Sequence, residues 1–520
     1  MSAEVVQSRD RIGPTSLTSF KVYCGLAVAA IAAVAFVLND WRWGTVADTS
    51  WLITVAERMA AGDRLYVDVI ELNPPFSIWL YTAPERAASA LGTSPEVAVR
   101  LYTIVLCLLG ASLAGWLLAA GKVLPGRAAA CTAIAIFATA VLVSGNGFSE
   151  RDQIGALLGL PILILAAWRS VSAPTNAPRF VHWLAAGTGA GVMAMVRPYY
   201  AAVVVAAACL LAAKRRDIRV FLLPEFILSG VVTLFYLGLS KVMYPAYFDT
   251  LLPLLSDIYI PYRLPLDILL TTFVPWLLLP VLYFTGRRYI DRPEVPDFLM
   301  LGAVVAWLPY FLQGKGWAYH SYPAVLFASA ALIIGVALLA ERRGIAQASS
   351  RVPIVLVAIL IAHIRFVPTE KPADELVAAG MQVGGRPTVG MLGGSIEIGH
   401  PLARMIGGQW IEPYCSDWLA TYAIRRQRMF AAAGNQAEVR RFAAVESEYL
   451  ADKKARLLRE PPRILIVDTN DRLVADMLGR FGFQELLDRY DRIAADGGIA
   501  LYRAKAVPVT PAGKPVAGPD

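Results

Sequence analysis

The chain is 520 residues long, 57% hydrophobic and only 17% charged, with a formal net charge of +8. Soluble domains keep roughly a quarter of their residues charged, so a single water-soluble globule is excluded. The apolar residues stand in long blocks separated by short basic punctuation, which ties the positive charge to membrane orientation rather than to nucleic-acid binding. Lipid offers the backbone no hydrogen-bond partners, so these blocks must be helices.

Taken in chain order, the blocks predict a polytopic α-helical membrane protein of about eleven spans. They lie near 20–38, 97–120, 128–144, 154–168, 181–196, 199–213, 220–240, 266–285, 298–312, 323–340 and 352–366. The first eighteen residues, Met1 to Thr18, are polar, and no small-residue cleavage motif follows the first block, so no cleavable signal is read. Arg197-Pro198 divides the two short blocks between 181 and 213. With the N-terminus cytoplasmic, alternate loops carry Lys122/Arg127, Arg169/Arg179, Lys214-Arg215-Arg216, Arg287-Arg288 and Arg342-Arg343, as the positive-inside rule requires. An odd number of spans leaves everything after about residue 367 outside.

Two outer segments are too polar to cross. Within 39–96, the run DTSWLITVAERMAAG puts Trp51, Leu52, Val55 and Met59 on one side at helical spacing, the pattern of a helix lying along the membrane surface. The run PPFSIWLYTAPERAASALG is read as a second such helix. In the tail, short apolar runs after Pro387, Pro462 and Gly498 read as strands. Charged helical stretches, Ser416 to Leu450 and Asn470 to Leu487, lie between them. The expected organisation is a membrane domain over 1–366, an extracytoplasmic α/β domain over 367–506, and a Pro/Gly-rich disordered end over 507–520.

Cysteine and histidine carry little. Cys24, Cys107, Cys131 and Cys209 lie in apolar blocks, Cys415 stands alone in the tail, and the four histidines are scattered, so neither a disulfide framework nor metal-ligand spacing is read. The tail run Gly390 to Gly394 lacks the Lys-Ser/Thr of a P-loop.

The outer loops hold the chemistry. Asp48 opens the first surface helix, and Glu71 and Asn73 follow. Glu150, Arg151 and Asp152 share a short loop, Arg197 ends a span, and Lys241 ends another. Gln313, Lys315, Tyr319 and His320 fall in QGKGWAYH, where two glycines let an exposed lysine and the backbone approach an anion closely. Bland readings stand beside these. Asp48 suits an N-cap, Glu150 to Asp152 suits a solvated loop, and Arg197 and Lys241 suit snorkelling side chains.

Asp48, Ala61-Gly62-Asp63, Asn73-Pro74-Pro75-Phe76 with Trp79 and Tyr81, Gly92 and Arg100 together resemble the first outer loop of the GT-C glycosyltransferases. The run is most similar to the aminoarabinose-transferase and protein O-mannosyltransferase branch. That family's second acidic loop position matches Asp152, and its basic residue after the fifth span matches Arg197. Two departures stand out: Asn73 replaces a residue often basic in the aminoarabinose type, and Thr49 follows Asp48 where a second acidic residue is common.

The resemblance implies an inverting glycosyltransferase of the bacterial plasma membrane. Its donor would be a polyprenyl-phosphate sugar and its acceptor a cell-envelope lipid or glycan. Asp48 would be the base or an acceptor-orienting carboxylate, assisted by Asp152 and by Glu150 or Glu71. Arg197, Lys315, His320 and Lys241 would hold the donor phosphate, and Glu71, Asn73, Gln313 and Tyr319 would contact substrate or metal. Some superfamily members place a divalent cation between such carboxylates, for which Mg²⁺ or Mn²⁺ suits oxygen ligands; others hold none. A lipid-linked-sugar flippase or secondary transporter is the alternative, as is a polysaccharide polymerase. Transporters, however, carry mid-membrane charge and repeated halves.

Overall fold

The computed structural model describes residues 14–172, 174–343 and 371–505. The chain divides into two compact units, Met1–Lys371 and Pro372–Asp520.

In the first unit the described helices are α1 (Pro14–Leu38), α2 (Ala47–Ala60), α3 (Phe76–Leu91), α4 (Pro95–Ala120), α5 (Gly126–Leu142), α6 (Arg151–Val171) and α7 (Phe180–Val196). They continue as α8 (Ala201–Arg215), α9 (Pro224–Met243), α10 (Leu252–Ile258), α11 (Leu266–Trp276), α12 (Leu278–Gly286), α13 (Glu294–Gln313) and α14 (Tyr322–Arg343). The protein is an integral membrane protein. Among the described residues seven helices are long and apolar enough to cross a membrane, and α11 with α12, bent by 40°, makes an eighth. Ten of the predicted spans therefore coincide with a helix or bent pair, but α5 and α7 are only 17 residues long. At 1.5 Å per residue that is about 25 Å against a hydrocarbon core of about 30 Å, so length alone does not give the count of eleven. The predicted span at 352–366 lies outside the described residues.

Helix α6 is the centre of this unit, buried almost without interruption from Arg151 to Trp168. Small residues let its neighbours close in, as expected where no hydrophobic effect drives helices together in lipid. A Cβ on Gly187 of α7 would lie 2.7 Å from the Glu225 carbonyl oxygen of α9, and one on Gly191 would lie 2.7 Å from Val232 Cβ. Gln153 Nε2 and Tyr322 OH both donate to the Ala140 carbonyl, each at 2.8 Å, tying α6 and α14 to α5. At the opposite end of α6, Arg169 pairs with the buried Glu225, Nη2 to Oε2 at 2.9 Å.

The helix α2 departs from expectation. It was predicted to lie on the membrane surface with one apolar face, yet every residue from Thr49 to Ala56 is buried. Packing of α2 against α3 and α4 covers the Thr49, Ser50 and Thr54 side that periodicity assigns to water. Asp48 is not the N-cap either; Val46 holds that position, and Asp48 stands in the first turn. Gly92 caps α3 in the left-handed region with φ +64°. Arg100, buried in α4, pairs with Asp40 beyond the end of α1.

Among the described residues the second unit is a five-stranded sheet with helices. The strands are β1 (Thr388–Leu392), β2 (Gln409–Trp410), β3 (Ile464–Asp468), β4 (Tyr490–Asp496) and β5 (Ile499–Ala504), in the order β2-β1-β3-β5-β4. β1 pairs parallel with β2 and β3, whereas β5 pairs antiparallel with β3 and β4. The three predicted strands are β1, β3 and β5. The predicted helical stretch from Ser416 is broken at Gly434 (φ +73°) into Trp418–Ala432 and Gln436–Arg459. Beneath β1 the buried Lys453 donates to Asp417 Oδ1 at 2.6 Å and to the Met391 carbonyl at 2.5 Å, with Glu412 Oε2 at 3.0 Å.

Candidate active site

The site grows from the loop before α6. Ser149 holds a left-handed φ of +70°, a conformation a serine seldom adopts. Three helices and the first turn of α6 hold it there. Its carbonyl accepts from Tyr81 OH of α3 at 2.7 Å and from Thr49 Oγ1 of α2 at 3.4 Å. Thr103 of α4 donates to its hydroxyl at 3.0 Å, and its own amide donates to Gln153 Oε1 at 2.8 Å. The clamp sets the direction in which Glu150, Arg151 and Asp152 leave for the helix.

Those three residues are not a solvated loop. Glu150 and Asp152 are fully buried and Arg151 nearly so. Among the described residues neither Glu150 carboxyl oxygen has a hydrogen-bond partner. Burial pushes its pKa upward and the charge of Asp48 adds to this, against the pull of Arg151 and Arg197. Arg151 Nη2 lies 3.8 Å from Asp48 Oδ2, the better exposed carboxylate of the group. Asp152 is held by Arg197, whose Nε donates at 3.1 Å with Nη2 at 3.0 Å, and it accepts from Tyr200 OH.

Arg197 is placed by the break between α7 and α8. Its backbone is extended (φ −148°, ψ 119°), and Pro198 behind it cannot donate to the α7 ladder. It is buried rather than snorkelling. Its guanidinium carbon lies 5.9 Å from the ring centroid of Tyr319, and that residue backs onto the loop where a Cβ on Gly147 would stand 3.2 Å from Tyr319 Cβ. His320 is buried, its ring 4.7 Å from that of Tyr319, and among the described residues neither of its ring nitrogens has a hydrogen-bond partner. Asp48, Glu150, Asp152, Arg197, Tyr319 and His320 therefore come together, and Arg151 and Tyr200 join them. Sequence reasoning gave those last two no role. The signals were present: an arginine between two acidic residues at a span start, and a tyrosine three places after Arg197.

Other expected residues are used differently. Glu71 is buried and accepts from Trp51 Nε1 at 2.5 Å and from the Asn73 backbone amide at 2.9 Å, with the Asn73 side chain on the same oxygen. Burial raises the Glu71 pKa, opposed by Arg151 and by Asn73. Glu71 and Asn73 thus brace the first loop. Lys241 pairs with Asp249, both half exposed. Gln313 is the last residue of α13. Lys315 is not the exposed side chain predicted: it is buried, and its ammonium donates to the carbonyls of Tyr259 and Tyr262 at 2.6 and 2.8 Å.

Asp152 has no oxygen open to a divalent cation. Mg²⁺ takes about six oxygen ligands, whereas Asp152 is occupied by Arg197 and Tyr200, and Arg151 stands beside Asp48. Among the described residues no group of three or more Asp, Glu, His or Cys is placed to hold a metal.

The chain is similar in structure to two crystal structures of ArnT from Cupriavidus metallidurans, one bound to undecaprenyl phosphate and one in the apo state. The first matches with a TM-score of 0.54 at 15% identity, covering 96% of this chain and 100% of that one. The apo structure matches with a TM-score of 0.51 at 15% identity, covering 93% and 98%. The chain has the ArnT fold. The polytopic architecture expected from the apolar blocks agrees with that fold. No family model and no curated protein sequence matches the chain.

Proposed function

We propose that this protein is a glycosyltransferase of the bacterial plasma membrane that moves a sugar from a polyprenyl-phosphate carrier to a cell-envelope acceptor on the extracytoplasmic face. The observation that carries the reading is the half-buried Asp48 grouped with the buried Glu150, Arg151, Asp152 and Arg197 at one end of an ArnT-fold bundle. An ArnT structure with undecaprenyl phosphate supports the lipid-phosphate donor. In this reading the N-terminus is cytoplasmic, and the α/β domain expected over 367–506 is extracytoplasmic.

The chemistry is a displacement at the anomeric carbon with inversion. The acceptor hydroxyl oxygen forms the new bond to that carbon while the bond to the phosphate oxygen breaks, and the electron pair leaves with the phosphate. Asp48, the most accessible carboxylate of the group, takes the hydroxyl proton. Arg151 and Arg197 neutralise the charge growing on the phosphate in a site shielded from water, where such charges act most strongly. Asp152 and Tyr200 hold Arg197 at its angle, and His320 and Tyr319 line the same space. Purified protein given a polyprenyl-phosphate sugar and an envelope lipid extract should release polyprenyl phosphate with formation of a glycosylated lipid. Movement of the intact donor across vesicles without that release would favour a flippase.

A further inference from the structure

The lysine of QGKGWAYH is held by backbone carbonyls. Its segment, between α13 and α14, crosses the 259–265 segment between α10 and α11. Lys315 Nζ donates to the Tyr259 and Tyr262 carbonyls and stands 4.0 Å from the Tyr259 ring centroid. An ammonium so placed satisfies two backbone acceptors and gains the attraction of a ring face. The two segments are also stitched through backbone, Leu264 N donating to the Gly314 carbonyl at 2.7 Å. The flanking glycines make that approach possible. At Gly314 (φ +60°) a Cβ would lie 2.9 Å from Arg263 Cβ, and at Gly316 (φ +75°) one would lie 2.7 Å from Leu264 Cδ1.

From this crossing a row of rings runs to the site. Tyr259 lies 6.4 Å from Trp317, Trp317 stacks on Tyr319 at 5.8 Å, and Tyr319 lies 5.9 Å from the Arg197 guanidinium. Trp317 also meets His320 edge-on at 5.3 Å. We propose that Lys315 is a positioning residue, a latch that fastens the 259–265 segment to the start of α14 and so fixes Tyr319 and His320 against Arg197. The ammonium acts on backbone carbonyls, not on a phosphate. Its effect on transfer rests on the proposed function; the latch itself does not.

Tryptic cleavage after Arg263, an exposed residue in the latched segment, reads the latch directly. It is followed by mass spectrometry on the full-length detergent-purified protein. Segments open locally at a rate set by the contacts that hold them, so Lys315→Met should raise cleavage after Arg263 by about tenfold or more, with other sites unchanged. Lys315→Arg, which keeps a donor cation, should restore most of the protection. In the transfer assay Lys315→Met should lower kcat while the affinity for polyprenyl phosphate alone stays within about threefold. Unchanged cleavage at Arg263 overturns the latch, and weakened polyprenyl-phosphate binding with Arg263 still protected assigns Lys315 to the phosphate instead. Wild-type protein that binds no polyprenyl phosphate overturns the proposed function and leaves the latch to be decided by proteolysis.

Discussion

Replacing Asp48 by asparagine removes a charge from the site while leaving its shape. The side chain is a quarter exposed and 3.8 Å from Arg151 Nη2, so the pair lies between an exposed ion pair, worth up to about 1 kcal/mol, and a buried one, whose breaking costs about 3–5 kcal/mol. A carboxylate in the first helical turn adds roughly 0.3–1 kcal/mol through the helix dipole. Because asparagine keeps the packing, Asp48→Asn should cost about 1–2 kcal/mol and still yield an inserted, monodisperse protein. Its amide cannot take a proton, and loss of general-base catalysis lowers the rate by about 10²–10⁴-fold. Asp152→Asn is the contrast: the residue is fully buried between Arg197 and Tyr200, so its loss should appear first as instability, about 3–5 kcal/mol. The assay is glycosylated product per molecule of purified protein, with thermal unfolding of the same samples. Asp48→Asn activity within a few-fold of wild type, in a protein as stable as expected, would refute the assignment of Asp48 as the base.

Three further outcomes follow from the geometry. Ser149→Val puts a β-branched residue at φ +70° and deletes the hydroxyl that Thr103 engages, so thermal unfolding should show a loss of about 2–4 kcal/mol, against about 1 kcal/mol for Ser149→Gly. In the second unit Lys453→Met leaves Glu412 and Asp417 buried without their cation, with an expected cost of about 3–5 kcal/mol. Burial works against the Lys453 ammonium, but Asp417 and Glu412 outweigh it and raise its pKa. Its contribution to stability is therefore complete below the ordinary lysine value of about 10.4 and lost as pH rises beyond it, which alkaline unfolding of wild type against Lys453→Met would measure. A reporter active only outside the cytoplasm, fused after residue 370, should be active; a cytoplasmic signal there contradicts the proposed orientation.

Much of this architecture was legible in the chain because lipid forces apolar blocks to be helices, and the Arg197-Pro198 break appeared where an N–H is missing. The burial of α2 was not legible, since Thr49, Ser50 and Thr54 read as a wet face until α3 and α4 cover them. β4 was missed because YDRIAAD, with Asp491, Arg492 and Asp496, has no apolar run at an exposed sheet edge, and β2 because it is two residues long. In the site, charge type at one end of the bundle was readable and brought Asp48, Asp152 and Arg197 together on paper. Which cation is already occupied was not. Lys315 and Lys241 look like anion ligands in one dimension, but backbone carbonyls hold the first and Asp249 the second. Arg151, by contrast, reads as loop charge until Ser149 turns it inward.

The central claim, sugar transfer from a lipid phosphate through Asp48, is tested most directly by comparing envelope glycolipids by mass spectrometry. The cells are wild type, a deletion strain, and the deletion complemented with wild-type or Asp48→Asn protein at equal levels. The account predicts that deletion removes a sugar mass from one envelope component, that the wild-type gene restores it, and that the variant does not. An unchanged glycolipid profile in the deletion strain, or full restoration by Asp48→Asn, would contradict it.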